Sequence, residues 1–338
     1  MFSWNSNGTL TLAEKEGIRF CILDTNAVIS AVENISSGLS ETGDIVFKAT
    51  KISGKSLFNN LSENFPFMLL KFLGKHLKQL KHQIISDITS TLGYGRPHEI
   101  TERGHGEIEL VISNPFYPHA SAGLITGMLE SLTRLPLEAR YEYRNRKDLV
   151  VSVFPSAKKS CTLALEPALP TVSGRNVFEL CTACKTPCDL SFRFFFDTEQ
   201  GEIQEIRNSG RVAFIDVACL RTILTEFGKK TDRDVGGLVL GLEKERVRNI
   251  FAREKAEISS TADEYMKYAR TLRIRGMGNV SSASVSGRTA KIRVDNPYQE
   301  ALVAAFIAGF HEAVTGDESV VEWTPPVRGT TYVSVFPK

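Results

Sequence analysis

The apolar positions of this chain fall into a few recurring patterns, and each pattern predicts an element. Phe20–Leu23 in FCILD and Val212–Ile215 in VAFID are unbroken apolar runs of strand length, closed by Asp24 and Asp216. Such runs suit buried strands, and each aspartate suits the N-cap of a following helix, where its carboxylate accepts an orphan backbone N–H. Between residues 64 and 92 apolar side chains recur every three or four positions, from Phe65 and Met68 to Ile84, Ile88 and Leu92. That spacing predicts a long amphipathic helix, with residues 255–273 as a weaker counterpart. Gly93-Tyr-Gly95 and Gly276-Met-Gly278 follow, and glycine accepts the left-handed conformation that ends a helix. EIELVIS (107–113) and AKIRVD (290–295) alternate as half-buried strands do. Asn114-Pro115 and Asn296-Pro297 predict a helix start, with Asn as cap and Pro in the first turn. DLVVSVFP and TTYVSVFP read as closing strands.

These patterns occur twice. Residues 114–155 and 296–337 align without a gap and share 13 of 42 positions, where ordinary composition gives about 2–3 by chance. Upstream, Gly8, Gly17, Arg19 and Asp24 correspond to Gly201, Gly210, Arg211 and Asp216. The chain is therefore a tandem duplication: a first unit over 1–156, a cysteine-containing linker over 157–189 and a second unit over 190–338. Each unit is expected to be α+β, an α/β sandwich with a mostly antiparallel sheet covered by helices. Gly127 and Gly309 recur at the same place inside the small-residue helix. A mid-helix glycine costs about 1 kcal/mol against alanine, so its recurrence predicts close approach of a neighbouring backbone or a ligand.

Composition narrows the function. Lys and Arg number 41 against 39 Asp and Glu, a net charge of +2, which argues against a charge-driven nucleic-acid binder. No apolar run approaches the ~18–20 residues of a membrane span. The first residues, MFSWNSNGTL, show neither the basic start nor the apolar core of a secretory signal. Six cysteines, three of them clustered, suit a reducing compartment. The expectation is a cytoplasmic protein that packs as a pseudo-dimer within one chain.

The order of these segments resembles the 4-vinyl reductase domain: strand into helix, long helix into Gly-x-Gly, strand into Asn-Pro, small-residue helix, final hairpin. GEIQEIRNSGRVAFID and its diverged copy GTLTLAEKEGIRFCILD also resemble the segment that precedes this domain in aromatic-responsive activators. The resemblance implies an α/β sandwich related to a vesicle-tethering subunit, binding a hydrophobic or aromatic molecule between helices and sheet. Many members of that family carry a cysteine zinc site. Its positions fall here near Ala120, Ser121, Tyr143 and Val151, and near Leu302, Val303, Pro325 and Val333, so neither unit has those ligands.

Two constellations carry candidate chemistry. CTACKTPC spaces Cys181, Cys184 and Cys188 at i, i+3 and i+7. On a helix these thiols share one face, and Cys-x-x-Cys is the common spacing for two zinc ligands. Cys161 or Cys219 is available as the fourth thiol, with Glu179 and Asp189 as carboxylate options. Plain connector thiols and a redox or iron–sulfur role fit the same spacing. The second constellation is aromatic: Phe116, Tyr117, Tyr141 and Tyr143 in the first unit, Tyr298, Phe306, Phe310 and Trp323 in the second. With His119 and His311 as polar groups, they are candidate ligand contacts, and ordinary core packing fits them too. Lys71, Lys75, Lys78 and Lys81 on the long helix read as a solvated face or an anionic contact. P-loop, nucleophile-elbow and His-Glu-x-x-His motifs are absent from the sequence.

The expected function is a non-enzymatic sensor or carrier of a hydrophobic small molecule, signalling through a protein partner. An accessory role in tetrapyrrole or vinyl-group reduction, and a ligand-free interaction scaffold, are the competing readings.

Overall fold

In a computed structural model the described residues are 2–12, 18–36, 41–62, 78–157, 163–167, 169–175, 178–207, 209–231, 234–253 and 260–338. Among them the duplication appears as one element order written twice. The first repeat runs β1 (Phe2–Trp4), β2 (Leu10–Leu12), β3 (Arg19–Asp24), α1 (Thr25–Ser36), α2 (Thr42–Ser62) and α3 (Lys78–Leu92). It continues through β4 (Arg96–Glu102), β5 (Ile108–Ser113), α4 (Pro118–Thr133), β6 (Leu137–Tyr143) and β7 (Asp148–Pro155). The second repeat runs β8 (Phe194–Asp197), β9 (Glu202–Glu205), β10 (Arg211–Asp216), α5 (Val217–Lys230), α6 (Val235–Arg253) and α7 (Ala262–Ile274). It closes with β11 (Asn279–Ser286), β12 (Thr289–Asp295), α8 (Glu300–Thr315), β13 (Ser319–Trp323) and β14 (Thr330–Pro337). The architecture is α+β, with helices against antiparallel sheets.

The capping aspartates behave as their position requires. Asp24 Oδ1 accepts from Ala27 N at 3.1 Å and Asp216 Oδ1 from Ala218 N at 2.9 Å. The part of the long helix that can be described is α3; residues 64–77 of the expected helix lie outside the described residues. Each repeat builds a four-stranded sheet of the same topology, β4-β5-β7-β6 and β11-β12-β14-β13. Leu110 pairs with Val151 in one, and Ile292 with Val333 in the other.

The repeated glycines mark a tight helix crossing. A methyl group on Gly127 would lie 1.9 Å from the Lys51 carbonyl oxygen, and one on Gly309 would lie 2.3 Å from that of Lys244. Of the two expected causes, it is the neighbouring backbone that approaches. Beside each crossing a buried glutamate is held by two cations from the facing helix. Glu130 meets Lys51 at 2.8 Å and Lys55 at 2.6 Å; Glu312 meets Lys244 at 2.8 Å and Arg248 at 3.5 Å.

The third sheet joins the repeats. Its six strands run β1-β2-β3-β10-β9-β8, with β3 antiparallel to β10 and Ile22 opposite Phe214. Since Ile22 and Phe214 are themselves equivalent positions, a pseudo-two-fold axis passes between them. Each N-terminal strand module docks on the other repeat. Trp4 Nε1 donates to the Ile274 carbonyl at 2.8 Å, and Thr9 bridges Met277. Arg19 donates to the carbonyls of Gly276, Asn296 and Pro297; its equivalent Arg211 donates to those of Gly93, Asn114 and Pro115.

This exchange explains where the Asn-Pro reading differs from the structure. Asn114 and Asn296 adopt φ of 50° and 54°, and the helices begin after them: Tyr117 holds the N-cap position of α4 without a side-chain bond, and the Gln299 side chain caps α8. The Asn amides are used across the repeat boundary. Asn114 Nδ2 donates to Gln200, and Asn296 Nδ2 donates to the Asn7 and Val172 carbonyls.

Two outcomes follow from this packing. Gly127→Ala and Gly309→Ala should each lose about 2–3 kcal/mol in urea unfolding, because backbone must move to admit the methyl. Gly228→Ala, in α5 with open space around it, should instead gain about 0.5–1 kcal/mol. A protease site introduced after Ser156 should, once cut, leave the two pieces eluting together in native size exclusion; separation of the pieces would contradict the exchange.

Candidate functional site

The helices that follow the paired strands leave a space between the repeats. Strand β3 delivers α1 and β10 delivers α5, and the two helices start from opposite ends of the same strand pair. Their lining positions correspond: Ala27 to Cys219, Val28 to Leu220, Ala31 to Ile223 and Ile35 to Phe227. Where α5 carries Cys219 and Ile223, α1 carries alanine, and these smaller α1 side chains border a cavity of about 330 Å³. An apolar cavity of roughly 150 Å³ holds benzene, so this one admits a body of about two fused rings.

Both repeats wall it. Val46 and Thr50 of α2 face Val239 and Leu242 of α6, and Phe116 of the first repeat faces its equivalent Tyr298. Exposed Asn26, Ser30, Glu245 and Asn249 lie around its mouth. The wall is mainly apolar, with one charged corner built from Asp24, Glu243 and Arg246. Arg246 donates to Glu243 through Nε and Nη2, both at 2.7 Å, and its Nη1 lies 3.7 Å from Asp24 Oδ2. Burial opposes the guanidinium charge, but the Glu243 carboxylate more than offsets it and raises the Arg246 pKa. The corresponding place on the other side of the pseudo-axis holds Ser53, whose hydroxyl donates to Asp216 at 2.6 Å. Burial pushes the Asp216 carboxyl up despite that bond.

Of the residues singled out from sequence, Phe116, Tyr117 and Tyr298 line the cavity. His119 and Tyr141 lie outside its lining and pair with each other, Nδ1 to hydroxyl at 2.7 Å, with Phe47 stacked on Tyr141. Burial lowers the His119 pKa and pushes Tyr141 up to about 12. In the second repeat His311 pairs with the Tyr265 hydroxyl. Phe306 and Phe310 pack edge-on to Phe251, and with Tyr265 and Tyr268 they leave a residual void of only about 10 Å³. The helix-on-sheet interior of that repeat is filled by its own aromatics. Tyr143 and Trp323 are exposed on the outer hairpins. The structure thus gathers three of the ten into one place and disperses the rest. The charged corner was missed. Asp24 reads in the sequence as a cap alone, and nothing local brings Glu243 and Arg246 to it from the other repeat.

The cysteine cluster adopts a turn instead of the helix its spacing suggested. Leu180 bridges Pro187, the Cys181 amide donates to the Thr186 carbonyl, and Lys185 takes φ of 59°. An internal bonding pattern of this kind closes a short hairpin, so Cys181, Cys184 and Cys188 do not share a helical face. Among the described residues no group of three His, Cys, Asp or Glu side chains is arranged to hold a metal ion. Cys161 lies outside the described residues, and Cys219 is buried beside the cavity. The Thr186 hydroxyl, 2.9 Å from Cys184 Sγ, lowers that thiol to about 7, whereas desolvation and the Glu179 carboxylate push Cys188 up.

Among the described residues no helix is long and apolar enough to cross a membrane. In comparisons with known proteins, no family model matches the chain and no curated protein matches it.

The thiol environments order their reactivity, because thiolate is the nucleophile. At neutral pH iodoacetamide should modify Cys184 before Cys188, read by peptide mass spectrometry of a time course. Equal rates would contradict the Thr186 hydrogen bond.

Proposed function

We propose that this protein is a non-enzymatic receptor that holds one small apolar molecule, of about two rings, in the cavity between its repeats. The observation that carries the reading is the cavity itself: about 330 Å³, chiefly apolar, reaching solvent past Asn26 and Glu245, and shared by both halves. Concave, largely apolar spaces with a few convergent polar groups are where proteins hold small ligands. The sequence resemblance to the 4-vinyl reductase domain supports the same class of ligand. It differs in place: the resemblance suggested a pocket inside each unit, whereas this reading has one ligand per chain at the pseudo-axis.

Such a position suits a sensor. A molecule lodged between α1 and α5 contacts both repeats at once, so occupancy favours one relative arrangement of the halves over others, by its difference in affinity for them. The output then passes to a protein partner that reads the arrangement.

Native mass spectrometry and fluorescence titration with 1-naphthylamine, a two-ring probe that is uncharged at neutral pH, test the reading. The expected result is one probe per chain, with enhanced, blue-shifted emission. Ala31→Phe, which fills the cavity from α1, should abolish the signal while changing stability by no more than about 1–3 kcal/mol. Two probes per chain, or unchanged binding in Ala31→Phe, would place the ligand elsewhere.

A further inference from the structure

The two helix-capping aspartates are related by the pseudo-axis, but they are chemically different and only Asp24 is among the lining residues. Both carboxylate oxygens of Asp216 are engaged, Oδ1 by the Ala218 amide and Oδ2 by the Ser53 hydroxyl. At the Asp24 end, Oδ1 caps α1 through the Ala27 amide, and Oδ2 faces Arg246 Nη1 at 3.7 Å, beyond hydrogen-bond length. Asp24 is only 9% exposed and it lines the cavity, as do Glu243 and Arg246. Among the described lining residues the one guanidinium, that of Arg246, is chelated by Glu243 through two 2.7 Å bonds.

We infer that the cavity takes its ligand in one orientation, with a protonated amine at the Asp24 end and the apolar body toward α5. This inference rests on the receptor reading above and specifies its ligand class.

The charge balance carries it. Two carboxylates and one guanidinium leave the corner with one excess negative charge, and Glu245 at the mouth adds another. A ligand ammonium placed there donates to Asp24 Oδ2 in a charge-assisted bond and neutralises the excess. Among the described lining residues a ligand carboxylate meets no cation but Arg246, whose Nε–Nη2 edge is held by Glu243 and whose Nη1 faces Asp24. It must also enter beside two like charges, which a partly buried site penalises. The positive end of the α1 dipole offers an anion no alternative, since the Asp24 carboxylate is already seated on it. A neutral hydroxyl can donate to Oδ2 but leaves the excess charge in place. The order of preference is amine, then alcohol, then acid.

Four matched probes separate this inference from the reading beneath it: methylnaphthalene, naphthylmethylamine, naphthylmethanol and naphthoic acid, titrated calorimetrically at neutral pH. The amine is expected to bind at least about tenfold tighter than the alcohol, with the acid about tenfold weaker again. Asp24→Asn keeps the helix cap but removes the charge; it should bring amine and alcohol within about threefold and leave methylnaphthalene unchanged. Glu243→Gln, an independent variant, should release Arg246 and tighten naphthoic acid by about tenfold. If the acid equals or exceeds the amine in the native protein, or if Asp24→Asn retains the amine preference, the orientation and ligand class are wrong while apolar binding stands. If no probe binds, methylnaphthalene included, the receptor reading fails as well.

Discussion

The antiparallel pairing of β3 with β10 is the constraint from which the rest of the molecule follows. Five residues of each strand are paired, from Val212 opposite Asp24 to Asp216 opposite Phe20, and the side chains between are buried. Backbone groups so far from water must be bonded, which fixes the two strands in register and with them the relation of the repeats. The same pairing forces the exchange of N-terminal strand modules: once β3 lies against β10, Arg19 reaches the Gly276 turn and Arg211 reaches the Gly93 turn. The middle turn carbonyls, Tyr94 and Met277, are bonded within their own repeat, whereas those of Gly93 and Gly276 take their arginine donor from the other. The paired strands also decide where α1 and α5 begin, and therefore that a space lies between them.

Much of each repeat was legible because its signals are local. The buried strand runs, the Asp24 and Asp216 caps and the Gly-x-Gly helix ends each involve residues within a few positions of one another, and all three are found. Gly127 and Gly309 were legible in a different way. Their cost in a helix is independent of context, so their recurrence demanded a tertiary cause, and the Lys51 and Lys244 carbonyls supply it.

The exchange was not legible. Arg19 bonds carbonyls more than 250 residues away, and nothing in IRFCILD distinguishes an arginine used in this way from a solvated one. Asn114 and Asn296 misled for the same reason: Asn before Pro is a good local cap, but the positive φ and the cross-repeat amide bonds move the helix start downstream. The aromatic set divided along similar lines. Phe116 and Tyr298 reach the cavity because they follow the Asn-Pro turn that faces the other repeat, whereas Phe306 and Phe310 point from α8 into their own repeat, against Phe251 of α6 and, for Phe310, Tyr265 and Tyr268 of α7. The cysteine spacing was equally compatible with a helix and a turn, and the Lys185 backbone selects the turn.

Fusion of two copies into one chain alters what a cavity on the axis can become. In a homodimer with a two-fold axis, every residue lining an axial cavity appears twice, so its ends are identical and any charged corner is duplicated. Here the equivalents have separated. Arg246 stands where the first repeat has Ser53, Glu243 where it has Thr50, and Ile223 where it has Ala31. Each difference alters one end of the cavity only. The alanine makes room at α1, the Arg246–Glu243 pair gives the Asp24 end its charge, and Ser53 bonds Asp216 away from the lining. The surrounding framework has not diverged in this way: Gly127 with Gly309, Glu130 with Glu312 and Arg19 with Arg211 still perform paired duties. The scaffold thus retains the symmetry that holds the repeats together, while the lining has lost it, and an asymmetric molecule requires that loss to be held one way round.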